Sequence, residues 1–174
     1  MRSPVVPFLE PVLGGLWWIV GAVALNYGLG TVVLAAGIGI TGLLIAALRS
    51  RYAAGAPLPP GGRGRLVRNG VILVVLVAAT GPLLGLVGLT ELTVPVACAL
   101  TGAALFPLAS MLDERALLAA GGVLMVLAAA GALWALDSAG PLYPQGVVGL
   151  AAGAVLWVVG AQRSGLLAEV RSRR

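Results

Sequence analysis

The stretch RSRYAAGAPLPPGGRGRLVRN, Arg49 to Asn69, carries five of the chain's eleven basic residues. The runs on either side of it, Leu29–Leu48 and Gly70–Leu89, carry no charge at all. An apolar run of about 20 residues, rising about 1.5 Å each as a helix, matches a hydrocarbon core about 30 Å thick. The charged stretch between two such runs reads as a loop at a membrane surface. Its Pro57, Pro59, Pro60, Gly61, Gly62 and Gly64 suit solvated, flexible chain.

Outward from this loop the same pattern repeats. The chain is 60% apolar and 10% charged, far from the roughly 45–50% and 25% of soluble domains. Six apolar runs of spanning length appear, none charged except at the first residue of the fifth: Pro11–Tyr27, Leu29–Leu48, Gly70–Leu89, Leu92–Leu112, Arg115–Leu136 and Tyr143–Gln162. They lack the alternating pattern of a barrel wall. The expected fold is all-α: one polytopic bundle of six transmembrane helices over residues 1–174, with no room for a soluble domain.

Every basic residue is Arg, and six helices sort them to one side. Arg2 precedes helix 1, and Arg49, Arg51, Arg63, Arg65 and Arg68 separate helices 2 and 3. Arg115 separates helices 4 and 5, and Arg163, Arg171, Arg173 and Arg174 follow helix 6. The opposite connections, around residues 26–30, 88–91 and 137–143, hold none. The positive-inside rule puts both termini and the loop in the cytoplasm of a cell (inner or plasma) membrane. The loop arginines are expected to meet anionic lipid headgroups at roughly 1 kcal/mol each. Nucleic acid is not an expected partner, because topology already accounts for the charge. The basic tail 164–174 reads either as a short helix on the inner surface or as a solvated end. Met1–Arg2 and Ala22-Val23-Ala24 give the outline of a signal peptide, but Glu10-Pro11 interrupts its apolar region, so the segment is expected to be retained.

The chain has no His and no Lys, and its six acids, Glu10, Glu91, Asp113, Glu114, Asp137 and Glu169, fall at run ends or in connections. Proton relays, Schiff bases, zinc sites and Ser–His or Cys–His nucleophile pairs all need residues that are missing here. No enzyme activity, cofactor or metal is expected. Glu10, beside Pro11, reads as an interfacial residue at a helix start, and becomes a proton-coupling candidate only if helix 1 begins earlier than drawn. Cys98 is the only cysteine, so no intrachain disulfide can form. Trp134, Tyr143 and Tyr27 flank the outer end, whereas Trp17, Trp18 and Trp157 fit interfacial anchoring only loosely. Asp113 is placed to cap helix 5.

Gly37-Ile38-Gly39-Ile40-Thr41-Gly42 matches G-x-G-x-x-G, but it sits inside an uncharged run with neither the strand nor the acid a dinucleotide site requires. Packing explains it better. Gly28, Ala35, Gly39, Gly42 and Ala46 share one face of helix 2, and Gly146, Gly149, Gly153 and Gly160 share one of helix 6. Close backbone approach at small residues drives helix association in lipid. These faces are expected to be internal seams, the alternative being contacts in a homo-oligomer.

Counting inward from the run boundaries puts Thr41, Thr80 and Thr101 at one depth near the midplane. Pro82 and Pro107 remove the amides that would satisfy Ala78 and Ala103. One reading is a weakly polar pocket lined by helices 2, 3 and 4, with Cys98 one turn from Thr101. The other is that each Thr bonds its own helix and each Pro makes an ordinary kink.

In helix 4, Leu105-Phe106-Pro107-Leu108-Ala109-Ser110-Met111-Leu112, followed after the turn by Gly121-Gly122, resembles small six-helix bacterial membrane proteins of unassigned function with a Phe-Pro-Leu-Ala type fourth helix. The sequence departs from that pattern in having no His beside Phe106. The resemblance implies a six-helix bundle and no activity. Two functions stay open: a small permease or binder of a neutral or lipid-like ligand, and a non-transporting accessory or scaffold subunit packed against another membrane protein.

Overall fold

Proline sets the start of three helices. Pro11, Pro95 and Pro144 each stand third in theirs, in the first turn where the missing amide costs no intrahelical bond, and all three are fully buried. The structure, a computed structural model, describes residues 6–25, 28–52, 60–137 and 142–166. Among these it holds six α-helices: α1 Leu9–Val23, α2 Leu29–Tyr52, α3 Gly62–Leu86, α4 Thr93–Leu112, α5 Arg115–Asp137 and α6 Leu142–Arg163. A single 3-10 turn, Thr90–Leu92, leads into α4.

Glycine closes α3. Gly88 has φ 72°, the left-handed region that favours residues without Cβ. It lets the Leu89 amide bond Leu84 O at 2.8 Å and the Gly88 amide bond Gly85 O at 3.2 Å, the paired bonds of a Schellman stop. Asp113 plays the same part after α4 with φ 52°, as the Glu114 amide reaches Ala109 O at 3.0 Å. It thus ends α4, where capping of α5 was expected.

Five helices are long and apolar enough to cross a membrane. The sixth, α1, has 15 residues in its described helix, about 22 Å at 1.5 Å per residue. It starts at Leu9, two residues before the expected Pro11. The arginine-rich connection is also shorter than expected, for α2 runs on to Tyr52 and α3 already begins at Gly62. Arg49, Arg51, Arg63, Arg65 and Arg68 are therefore helical and exposed, not loop residues. The charge boundary marked where the apolar run stopped, but Arg is a good helix former and its long stem lets a helix continue past that point. Residues 167–174 lie outside the described residues, and with them most of the proposed tail helix.

In space the helices follow the order α2, α1, α6, α5, α4, α3, with α6 also reaching α4. The most extensive contacts are α1 with α6 and α4 with α5. The core lies among these four and includes Leu105, Leu117, Leu124, Val148, Ala152 and Leu156. The flanking helices α2 and α3, neighbours in sequence, do not approach each other closely along their described backbones. Each presents large apolar residues outward, such as Leu43 and Val74, a surface suited to lipid and not to water.

Glycines set how closely the pairs approach. Gly146, Gly149, Gly153 and Gly160 all face α1, where Gly14 and Gly21 face them in return. A Cβ on Gly149 would sit 2.6 Å from the Gly21 amide nitrogen, and one on Gly153 2.8 Å from Gly14 O. Between α4 and α5, Gly102 and Gly121 do the same for each other. The expected seam on α2 is not one: Gly28, Ala35, Gly39, Gly42 and Ala46 are exposed, and a Cβ on Gly28, Gly39 or Gly42 would meet nothing within 4 Å. Spacing shows that residues share a face without showing which way the face points. The α2 glycines pressed against α1 are Gly30, where a Cβ would stand 2.7 Å from Ala22 O, and Gly37, which lies under the Trp18 indole.

The three tryptophans near that seam are packing residues. Trp17 and Trp157 are buried, Trp18 stacks on Trp157 at 4.7 Å, and Trp18 Nε1 donates to Val33 O of α2 at 2.7 Å. Of the four tryptophans only Trp134, 45% exposed, keeps the outward position expected of an interfacial anchor; Tyr27 and the Tyr143 side chain lie outside the described residues.

Candidate functional site

Among the described residues the backbones of α1 and α3 do not approach each other closely, and a cleft of about 410 Å³ opens between them with α4 as its floor. Leu13, Leu16, Trp17 and Val20 form the α1 wall, α3 contributes the stretch from Leu73 to Thr80, and α4 contributes Thr93 to Thr101. Leu16, Val20 and Val74 at its mouth are exposed. No ionisable side chain lines it. A site of this kind offers dispersion and apolar burial and has no charge to neutralise a charged guest.

Two of the midplane threonines belong to this cleft. Thr80 and Thr101 are buried along its wall and floor, but each hydroxyl donates to its own helix, Thr80 to Val77 O at 2.6 Å and Thr101 to Ala97 O at 2.9 Å. Thr41 is elsewhere. It lines a second groove, about 380 Å³, running from Val12 to Ile19 on α1 and from Ile38 to Ile45 on α2. Its Oγ1 is buried against Gly15 and has no hydrogen-bond partner. The three therefore do not converge on one cavity: equal depth brought them level, but α2 and α3 stand on opposite sides of α1. Cys98 faces away from the cleft, with Sγ 3.5 Å from Leu124 O of α5. Pro82 and Pro107 are exposed on the outer surface and line neither cavity.

At the arginine-bearing end lies a cluster that residue order hides. Glu10, 1% exposed, is not a solvated interfacial residue. Arg163 of α6, its side chain 4% exposed, donates through Nη1 to Glu10 Oε1 and through Nη2 to Glu114 Oε1 at 3.2 Å. One guanidinium so joins α1, α6 and the α4–α5 turn, while its Nε is buried without a partner. Nearby, Tyr52 OH donates to Ser164 O at 2.8 Å and ties the end of α2 to the end of α6. Burying these charges is tolerable only because they are paired. The signal available in the sequence was slight: an acid at the edge of the first apolar run and an arginine just past the last.

At the opposite end Gln145 Nε2 donates to Thr90 O at 3.1 Å and joins α6 to the turn before α4. Among the described residues no group of three or more His, Cys, Asp or Glu is placed to hold a metal ion. Compared with protein-family models, curated proteins and solved structures, the chain finds no match.

Proposed function

We propose that the protein is a six-span membrane protein, its termini and arginine-bearing helix ends cytoplasmic, that takes a neutral or lipid-like molecule into the cleft between α1, α3 and α4. The observation that carries this reading is the cleft's chemistry: about 410 Å³, an apolar lining and no ionisable group. Its mouth lies between helices whose outer faces are apolar, so a guest dissolved in the bilayer enters from the side without crossing a charged surface. The threonine hydroxyls on its wall and floor are already bonded to backbone, which favours an apolar guest over a hydrogen-bonding one. The proposal is for binding or passage and includes no catalytic step.

The test is lipid and small-molecule mass spectrometry on full-length protein purified from its native membrane. Wild type is expected to retain a neutral, lipid-like molecule. Val74→Trp, at an exposed edge of the cleft where the fold tolerates bulk, is expected to lose it with an unchanged melting temperature. A second reading, an accessory subunit, draws on the unpartnered small-residue face of α2 at Gly28, Ala35 and Gly39. A stoichiometric protein partner with no retained small molecule would decide for that reading.

A further inference from the structure

The α1–α2 groove differs from the larger cleft at one end. On α2 it runs through Ile38, Thr41, Gly42 and Ile45, and Arg49 follows Ile45 by four residues, on the same helix face and about 6 Å further along the axis. Arg49 is exposed and makes no ion pair with a described residue. The acid nearest in sequence on the α1 wall, Glu10, is turned to α6 and held by Arg163, so it does not neutralise this end of the groove. The result is an apolar groove between two helices, with an exposed arginine one helical turn beyond its α2 wall.

We propose that this groove is a binding site for an anionic phospholipid of the cytoplasmic leaflet, with one acyl chain between α1 and α2 and the phosphate on Arg49. The orientation it requires is the one given under Proposed function, but it does not depend on the larger cleft being occupied. Charge complementarity selects the occupant. An arginine at headgroup level pairs with a phosphate, and the groove beyond it has apolar walls and a single hydroxyl. A second copy of the chain fits poorly. In the same membrane orientation it would bring its own arginine-bearing helix ends to the level of Arg49, Arg63, Arg65 and Arg68, like charge against like.

Native mass spectrometry of the delipidated full chain in a non-ionic detergent, titrated with dioleoylphosphatidylglycerol or dioleoylphosphatidylcholine, tests this. Arg49→Gln is expected to weaken phosphatidylglycerol binding about tenfold, the loss of one charge-assisted bond, and to weaken phosphatidylcholine less, because its choline ammonium already offsets the phosphate charge. Arg63→Gln, at an exposed arginine of α3 that lies outside this groove, is expected to change neither by more than about twofold. Gly42→Leu is expected to weaken both lipids, because a Cβ there meets nothing within 4 Å and the side chain can fill the groove without moving backbone. Equal losses from Arg49→Gln and Arg63→Gln would overturn the site in favour of diffuse surface charge. Competition by inorganic phosphate would reduce it to a free-anion site, and unchanged binding in Gly42→Leu would show that no chain lies in the groove. Cysteine labelling that placed the arginine ends outside would refute the orientation separately.

Discussion

Replacing Gly153 and Gly39 by alanine, one at a time, puts the α1–α6 contact to a quantitative test. Both glycines are inside helices, so both variants gain the same helix propensity, about 1 kcal/mol. That term cancels when the two are compared. What remains is the collision at Gly153, where the new Cβ would stand 2.8 Å from Gly14 O, 3.0 Å from the Trp18 amide nitrogen and 3.2 Å from Trp18 Cβ. Two of these are backbone atoms, which cannot rotate away, so the helices must separate. Gly39 meets nothing within 4 Å. Overpacking of this kind costs about 1–3 kcal/mol, which for a chain of this size is a gap of roughly 2–12 °C in melting temperature. Intrinsic fluorescence during heating in detergent reads it directly, since Trp18 and Trp157 stack beside the perturbed contact. Gly39→Ala should melt at or above wild type and Gly153→Ala below it. Equal melting of the two, or the reverse order, would refute the assignment of the α6 stripe to α1.

The ion cluster makes a second prediction. Glu10→Ala leaves Arg163 buried with Glu114 alone and should cost about 3–5 kcal/mol, while the double change Glu10→Leu with Arg163→Met should recover much of that loss; a double-mutant cycle in chemical unfolding measures both. For topology, single cysteines at Ser50 and Thr90, both exposed, in a Cys98→Ser background should label differently on intact cells. An impermeant thiol reagent should reach only position 90, and labelling at position 50 would reverse the orientation.

What could be read in advance follows what each signal encodes. Run length and charge are one-dimensional quantities, and they located all six helices, with ends misplaced where arginine continues a helix beyond its apolar span. Periodicity adds which residues share a face. That sufficed for Gly146, Gly149, Gly153 and Gly160 on α6, whose face does meet a neighbour, and misled for α2, whose small residues have the same spacing and point outward. Depth counting aligned Thr41 with Thr80 and Thr101 but is blind to rotation and to which helices adjoin. Gly14 and Gly21, seven residues apart, share the α1 face that meets α6 and are a packing signal of the same kind. The Glu10–Arg163 pair carried almost none, because nothing local links residues 153 positions apart.

That separation bears on how the protein is made. The principal partner of α1 is α6, and at about 5–20 residues per second a ribosome needs roughly 8–30 s to go from Glu10 to Arg163. Throughout that interval α1 has no α6 glycines to dock on, and its acid has no counter-charge. The chain cannot assemble by stacking each helix on the one before it. It must hold the α1–α2 pair at the translocon or in lipid, one side of α1 uncovered, until α6 has been made. A chain that stops short of α6 leaves α1 docked on α2 alone and its carboxylate without Arg163, the kind of defect that membrane quality control can recognise, so translation of α6 is written into the stability of the first turn.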